Sequence, residues 1–346
     1  MRVLILLSLL FPLAAGPLAR GVSSRVEPRV ATWLLTGAAL LLAGTSCGAL
    51  GLLVLSPLVR MPWIASLGHW SSTIVADAGL PGGWTSLGAA VALGAALLAA
   101  GAFAVRRGQA LAEARQHARA LPGHGELVVI TRDAAADAYA VPGRPGRIVV
   151  STAMLDALDD RGRAALLAHE RAHLSGRHHW FTGGARLAAS ANPLVKPLAS
   201  AVEYTVERWA DESAATAVGD RQVVARAVAS AAIAAKATSA RAARAGTLGM
   251  VGPRMRDAVA RRLAAAGVVV RRVPVAGIFV RRGDHMAGAG PVPRRVAALL
   301  APAPTSRRGM PALTGSLLFL GIAVLCALHA ADHLQDLLSV AHASLN

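Results

Sequence analysis

The stretch from Asp159 to Gly176 reads DDRGRAALLAHERAHLSG, and the rest of the chain is best understood outward from it. Asp159 and Asp160 are of the type that caps a helix start, the apolar residues after them recur at helical spacing, and Ser175-Gly176 is a stop signal. A helix running to about Leu174 is predicted, with His169, Glu170 and His173 near its end in the pattern H-E-x-x-H. Residues four apart share one helix face, so both imidazoles can reach a single Zn2+ while Glu170 touches a water beside it. Such an ion polarises a carbonyl, and the glutamate can take the water's proton and later pass it to a leaving amine. The bland alternative is a solvated helix face, and chance gives such a match on the order of once per hundred chains of this composition.

A catalytic zinc takes three protein ligands and keeps one position open, so a third donor is required. Glu207, in Glu207-Arg208-Trp209-Ala210-Asp211, stands 34 positions beyond His173 on a predicted helix. Asp211 falls one turn further along the same face, where it can orient a ligand histidine through the nitrogen that does not bind metal. The competing reading is that both are solvated carboxylates, the usual fate of such residues. His178 and His179 lie beyond Gly176, off the helix face, and are expected at the surface or against headgroups. As donors to a transition state, Arg261, Arg262, His178 and His179 all stay open.

The surroundings are apolar. Of the 346 residues 54% are hydrophobic and only 16% charged, outside the range of an ordinary soluble protein. Four long stretches lack Asp, Glu, Lys and Arg: Val3 to Ala19, Val30 to Val59, Ala78 to Val105 and Gly309 to Ala331. Each can form a helix of the length that lipid requires, the third starting near Trp84 after Pro81, Gly82 and Gly83. The first could instead be a cleaved leader, but Arg2 alone makes a poor basic region and Pro17-Leu18 a poor cleavage site, so a retained span is favoured. Arg106, Arg107, Arg115, Arg119, Arg307 and Arg308 flank the long region between spans three and four, and neither Lys nor Arg follows span four. Cytoplasmic flanks collect such residues, so both termini are expected outside a cell membrane and residues 106–308 inside.

The formal net charge of +17 raises the question of nucleic acid. The arginines are spread over span flanks and the region between, which suits an anionic inner leaflet, so the lipid bilayer is the expected partner and no direct nucleic acid binding is expected. Cys47 and Cys326 fall within predicted spans and give neither a disulfide framework nor a thiolate metal site.

Upstream of the H-E-x-x-H helix, Gly108 to Ala120 continues the third span as a helix that Pro122, Gly123 and Gly125 end. Short apolar runs at Leu127 to Ile130, Ala138 to Val141 and Ile148 to Ser151 then predict a small antiparallel sheet. Downstream, Leu187 to Val202 reads as a kinked helix pair on or near the membrane surface, followed by a helix over Val202 to Ala215 and alanine-rich helices to about Ala265. Residues 266–310 give only a weak pattern.

H-E-x-x-H followed by E-x-x-A-D resembles the gluzincin membrane peptidases: the CAAX prenyl protease and HtpX type and the related BlaR/MecR-type sensor-transducer peptidases. Asp137-Ala138-Tyr139-Ala140, Arg147-Ile148-Val149-Val150-Ser151 and Met154-Leu155-Asp156-Ala157-Leu158 resemble the strand, strand and helix that precede the motif in that group. The likeness covers roughly residues 125–215. It implies a mainly α integral membrane protein: three transmembrane helices in 1–105, a cytoplasmic zincin-like α+β catalytic domain in 106–308, and a fourth span with a short tail in 309–346. It also implies zinc held by His169, His173 and Glu207, Glu170 as base, Asp211 behind a ligand, and a substrate strand at Ala138, Tyr139 and Ala140. The family strand usually carries Asn where Asp137 stands, which leaves that residue's role open. With only 15 residues after Ala331, the chain is not expected to sense β-lactams by itself.

The resulting expectation is a zinc endopeptidase that cuts a cytoplasmic or membrane-associated protein, either a transcriptional repressor in a signalling relay or a misfolded membrane protein. A catalytically silent membrane sensor or scaffold is the alternative, and a transporter is disfavoured because the spans lack an ionisable pathway.

Overall fold

The computed structural model describes residues 2–69, 71, 83–120, 128–132, 135–143, 146–247, 290–302 and 306–343. In chain order these form α1 (Arg2–Leu10), a 3-10 turn at Phe11–Ala14, α2 (Ala15–Arg25), α3 (Pro28–Leu58), α4 (Pro62–Gly68) and α5 (Trp84–Ala120). Three strands follow, β1 (Val128–Thr131), β2 (Ala138–Val141) and β3 (Arg147–Ser151). Then come α6 (Thr152–Asp156), α7 (Asp160–Ser175), α8 (His178–Ala191), a 3-10 turn at Pro193–Val195, α9 (Lys196–Val218), α10 (Arg221–Thr247), α11 (Pro291–Leu300) and α12 (Ser306–Ala343). The expected ends at Pro122, Gly123 and Gly125, and the candidates Arg261 and Arg262, lie outside the described residues.

The chain divides into two compact units. One comprises residues 1–104, 184–202 and 306–346. Four of its helical stretches, Val3–Arg25, Pro28–Leu58, Trp84–Ala120 and Gly309–Ala343, are long and apolar enough to cross a membrane, which supports a membrane protein. Small residues line the buried side of α3, among them Ala31, Ala38, Ala39, Ala43, Ser46 and Ala49, so neighbouring backbones can approach closely. Large residues such as Leu97, Leu98, Leu317 and Leu318 point outward, an arrangement that suits lipid rather than water. Hydroxyls inside these helices donate to the carbonyl four residues back, as Thr32 does to Pro28, Ser46 to Leu42 and Ser56 to Leu52, at 2.8–2.9 Å. That satisfies each one without water.

Residues 184–202 belong to this unit, although the sequence places them with the peptidase region. Gly184 stands against Thr36 and Leu40, and Asn192 Nδ2 donates to Ser46 Oγ at 3.1 Å, near the middle of α3. The segment therefore packs along an apolar helix instead of forming a separate surface pair. Beyond its kink at Asn192-Pro193, α9 runs unbroken from Lys196 to Val218, because Pro197 falls in the first turn, where its missing N–H costs nothing.

The second unit, residues 105–183 and 203–305, is built on the sheet. The strand order is β1-β3-β2, with β2 antiparallel to β3 and β1 parallel to it. The fully antiparallel sheet expected from the sequence is thus corrected to a mixed one. The short Pro/Gly connection makes β2 and β3 a hairpin, so β1 takes the far edge of β3 and runs in its direction. Every residue of β3 is buried. On one face Val141 and Val149 pack against Ala110, Ala114 and Ala118, spaced four apart along α5. On the other, Ala138, Ile148 and Val150 meet Ala165 and Leu166 of α7 and Val224 and Val228 of α10.

Asp159 caps α7 as expected, its Oδ1 accepting from Gly162 N at 2.7 Å. Ser151 ties the sheet to the helix ahead of α7: its Oγ accepts from Asp137 N at 2.9 Å and from Met154 N at 3.1 Å. Replacing it with Ala removes one acceptor from two backbone donors, so Ser151→Ala is expected to cost about 1–3 kcal/mol. A lowered thermal midpoint of the purified protein in detergent checks this, and an unchanged midpoint contradicts it.

Candidate metal centre

Two helices supply the centre. On α7 the four-residue spacing turns His169 and His173 the same way, and both are buried with Glu170 between them. On α9 the same spacing aligns Glu207 with Asp211, the latter only 1% exposed. His169 Nε2 lies 3.1 Å from His173 Nε2. Glu207 reaches both, with Oε2 3.8 Å from His169 Nε2 and Oε1 3.5 Å from His173 Nε2. One donor atom from each of the three residues falls within 4.8 Å of the others, so the group can hold a metal ion.

The outer edges of both rings are occupied as well. Asp211 Oδ1 stands 3.0 Å from His169 Nδ1, and His178 Nδ1 stands 2.9 Å from His173 Nδ1. His178 is buried, and its ring packs on Trp209 with centroids 4.5 Å apart. Burial, the largest influence on it, pushes this imidazole down to about 4, so it is neutral at pH 7. The sequence reading that set His178 at the surface is corrected here. His179, half-buried beside it, accepts through its backbone oxygen from Arg107.

A residue that sequence reasoning missed completes the cluster. Arg295, on α11 and 3% exposed, places Nε 2.6 Å from Asp211 Oδ2, pairs Nη2 with Asp211 Oδ1, and sets Nη1 2.6 Å from Glu207 Oε2. Burial alone would raise the Asp211 pKa, but the Arg295 charge, then the bonds from His169 and Arg295, hold it well below the usual carboxylate range. The same carboxylates outweigh desolvation of the guanidinium and keep it firmly charged. Arg294 lies over the Tyr204 ring, 4.2 Å from its centroid. Arg221 caps the far end of α11, its Nε donating to Leu299 O at 3.1 Å and its Nη2 to Ala298 O at 2.7 Å. Nothing in the Pro291-Val292-Pro293-Arg294-Arg295 spacing points to a residue 84 positions earlier, so the only sequence signal was a basic pair inside an amphipathic turn.

These residues fit a divalent cation. With Nδ1 protons turned to Asp211 and His178, both Nε2 lone pairs face one point, and their separation is close to the roughly 3.3 Å edge of a tetrahedron with zinc–nitrogen bonds. Charge agrees. Among the described residues the carboxylates of Glu170, Glu207 and Asp211 outnumber the one guanidinium of Arg295, a balance that suits a divalent cation.

Residues 105–185 match Peptidase family M48. The matched stretch, less than half of the chain, holds the three strands, both α7 imidazoles, Glu170 and His178, and it makes this part of the chain similar to a metallopeptidase family. No curated protein and no solved structure matches the chain. Glu207, Asp211 and Arg295 lie outside the M48 stretch, and geometry alone brings them to the centre.

Arg295→Ala removes the cation from the buried Asp211 carboxylate and from the partly buried Glu207 beside it. It is expected to lower stability by about 3–5 kcal/mol. Arg294→Ala, which removes a ring contact, is expected to lose about 1 kcal/mol. Thermal unfolding of the two purified variants compares them, and equal losses contradict the charge argument.

Proposed function

We propose that this chain is a membrane-embedded zinc-dependent endopeptidase acting on a cytoplasmic or membrane-associated protein. The observation that carries the reading is the convergence of His169, His173 and Glu207 within 4.8 Å, beneath a helix whose next residue after His169 is a buried glutamate. Two imidazoles and a carboxylate are the donor set of many hydrolytic zinc centres. When bound, such an ion supplies Lewis acidity to a scissile carbonyl and to an attacking water.

The chain's own residues do the rest. Glu170 takes the proton of the attacking water and delivers it to the leaving amine. Asp211 fixes the ring of His169, and Arg295 anchors both Asp211 and Glu207 Oε2, while Glu207 Oε1 faces His173. The β2 strand, with Ala138, Tyr139 and Ala140, is an outer strand of the sheet formed by the described residues and contacts α7, which supports it as the edge on which a substrate lies extended. Backbone pairing of that kind holds a peptide without demanding a particular sequence, as a protease of signalling or of quality control requires. The arginines at positions 106, 107, 115 and 119, with the absence of Lys and Arg after span four, support a cytoplasmic active region and termini outside. A transcriptional repressor and a damaged membrane protein are the two substrate types this reading admits.

Purified protein is expected to carry about one zinc per chain, lost to a chelator and regained with Zn2+. Glu170→Gln is expected to keep the metal and lose at least about a hundredfold in cleavage of an unfolded or membrane-tethered substrate. His169→Ala and Glu207→Ala are each expected to lose the metal. Zinc retained in Glu207→Ala removes the third ligand, and a wild-type chain that holds zinc but cuts nothing favours the silent scaffold.

A further inference from the structure

Every side chain in the centre has a use in the proposed reaction except His178. It is one of the larger fully buried side chains, at 2% exposure, yet it brings a polar ring into a place where an apolar one would fill the space. Its Nδ1 faces Nδ1 of His173 at 2.9 Å, and its Nε2 is buried with no hydrogen-bond partner among the described residues. Two ring nitrogens at that distance are bonded only if one carries a proton and the other a lone pair.

The local backbone is shaped to bring this ring back onto α7. The helix stops at Ser175, Gly176 caps it, and Arg177 takes φ of 49°, a left-handed conformation that L residues with a side chain seldom adopt. That reversal makes His178 the first residue of α8 and returns it over His173. Gly176 is required by the same packing, since a Cβ there would overlap the His178 imidazole at Nε2 and Cδ2. Trp209, two positions beyond Glu207, closes the other side of the ring. A strained turn, a glycine and an indole thus combine to hold one imidazole with its Nδ1 against His173.

We propose that His178 is a positioning residue for His173: its Nδ1 accepts the His173 Nδ1 proton, and this commits the His173 Nε2 lone pair to the metal ion. The assignment rests on the metallopeptidase reading above. A ligand imidazole binds through a lone pair, so with His173 Nε2 in the cluster the proton must sit on Nδ1, where only an acceptor keeps it. His178 is that acceptor, and its own proton is then on Nε2. The opposite tautomer pair would place a proton on His173 Nε2, against His169, and block the ion. His169 is held by the carboxylate of Asp211 on its outer edge, and His178 serves the same end for His173 with a neutral ring.

The test uses the full-length protein in detergent, with zinc affinity read by competition with a fluorescent chelator. His178→Phe keeps a ring and removes the acceptor, and is expected to weaken zinc binding about ten- to a hundredfold. His178→Asn places an amide oxygen near the position of Nδ1 and is expected to stay within about threefold of wild type. Gly176→Ala displaces the ring while leaving the histidine in the chain, and is expected to weaken binding as the Phe variant does. Wild-type affinity in His178→Phe, or an equal loss in the Asn and Phe variants, overturns the proposal. Should the Phe variant not fold, the 15N spectrum of histidine-labelled wild-type protein with zinc decides: a proton on His178 Nε2 supports the assignment and one on Nδ1 overturns it. A wild-type chain that binds no zinc overturns this and the metallopeptidase reading together, whereas zinc bound equally by wild type and His178→Phe overturns this alone.

Discussion

Arg295 is the side chain on which the described part of the centre depends most, because it is the buried cation that pairs with both Glu207 and Asp211. Charges removed from water cost several kcal/mol each unless they are neutralised in place. The pairing therefore constrains where α9 and α11 can lie: the face of α9 that bears Glu207 and Asp211 must meet α11 at Arg295. Arg221, at the start of α10, holds the last carbonyls of α11 and also pairs with Glu212 one residue beyond Asp211. The helices α9, α10 and α11 are thus tied to one another by guanidinium groups, and the candidate donor Glu207 on α9 takes its position from that lock.

The imidazoles of α7 depend on a different constraint. Their helix is set by the sheet, whose central strand β3 is buried along its whole length between α5 on one side and α7 with α10 on the other. Small residues let this sandwich close: Ala110, Ala114 and Ala118 on α5, and Ala165 on α7, bring backbones near the pleated surface. The apolar helices of the other unit also use small residues at contacts, but turn their leucines outward and satisfy their hydroxyls on their own carbonyls. One chain so follows two solvent regimes, and the difference lies in where large apolar side chains face.

Much of this was legible in the sequence, for reasons that are local. Long runs without charge, the Asp159 cap, the Gly176 stop and the spacing of His169 to His173 are each properties of a few neighbouring residues, and all of these elements stand where expected. Glu207 was reachable because a hydrolytic centre needs a third donor and few glutamates exist to supply it. What could not be read was set by tertiary geometry. The direction of β1 depends on which edge of β3 it takes, which no run of alternating residues encodes. Arg295 lies in a stretch of weak pattern, and its partners are a whole helix away in sequence. His178 was misread because the rule that residues past a glycine leave the helix face is correct on average, while the left-handed Arg177 here sends the chain back.

The contrast between the groups behind the two imidazoles then has a physical reason. An anionic partner on each ring would raise the basicity of both imidazoles, but it would add a further carboxylate to a cluster in which, among the described residues, carboxylates already outnumber guanidinium groups. Each further anion placed there would have to be neutralised or desolvated at a cost of several kcal/mol. A neutral ring behind His173 supplies an acceptor and no charge, and burial holds His178 in that neutral form. Asp211 is the one place where an anion behind a ligand is tolerated, because the guanidinium that neutralises it is already there. Charge balance, rather than ligand geometry alone, accounts for why this centre pairs one histidine with an aspartate and the other with a histidine.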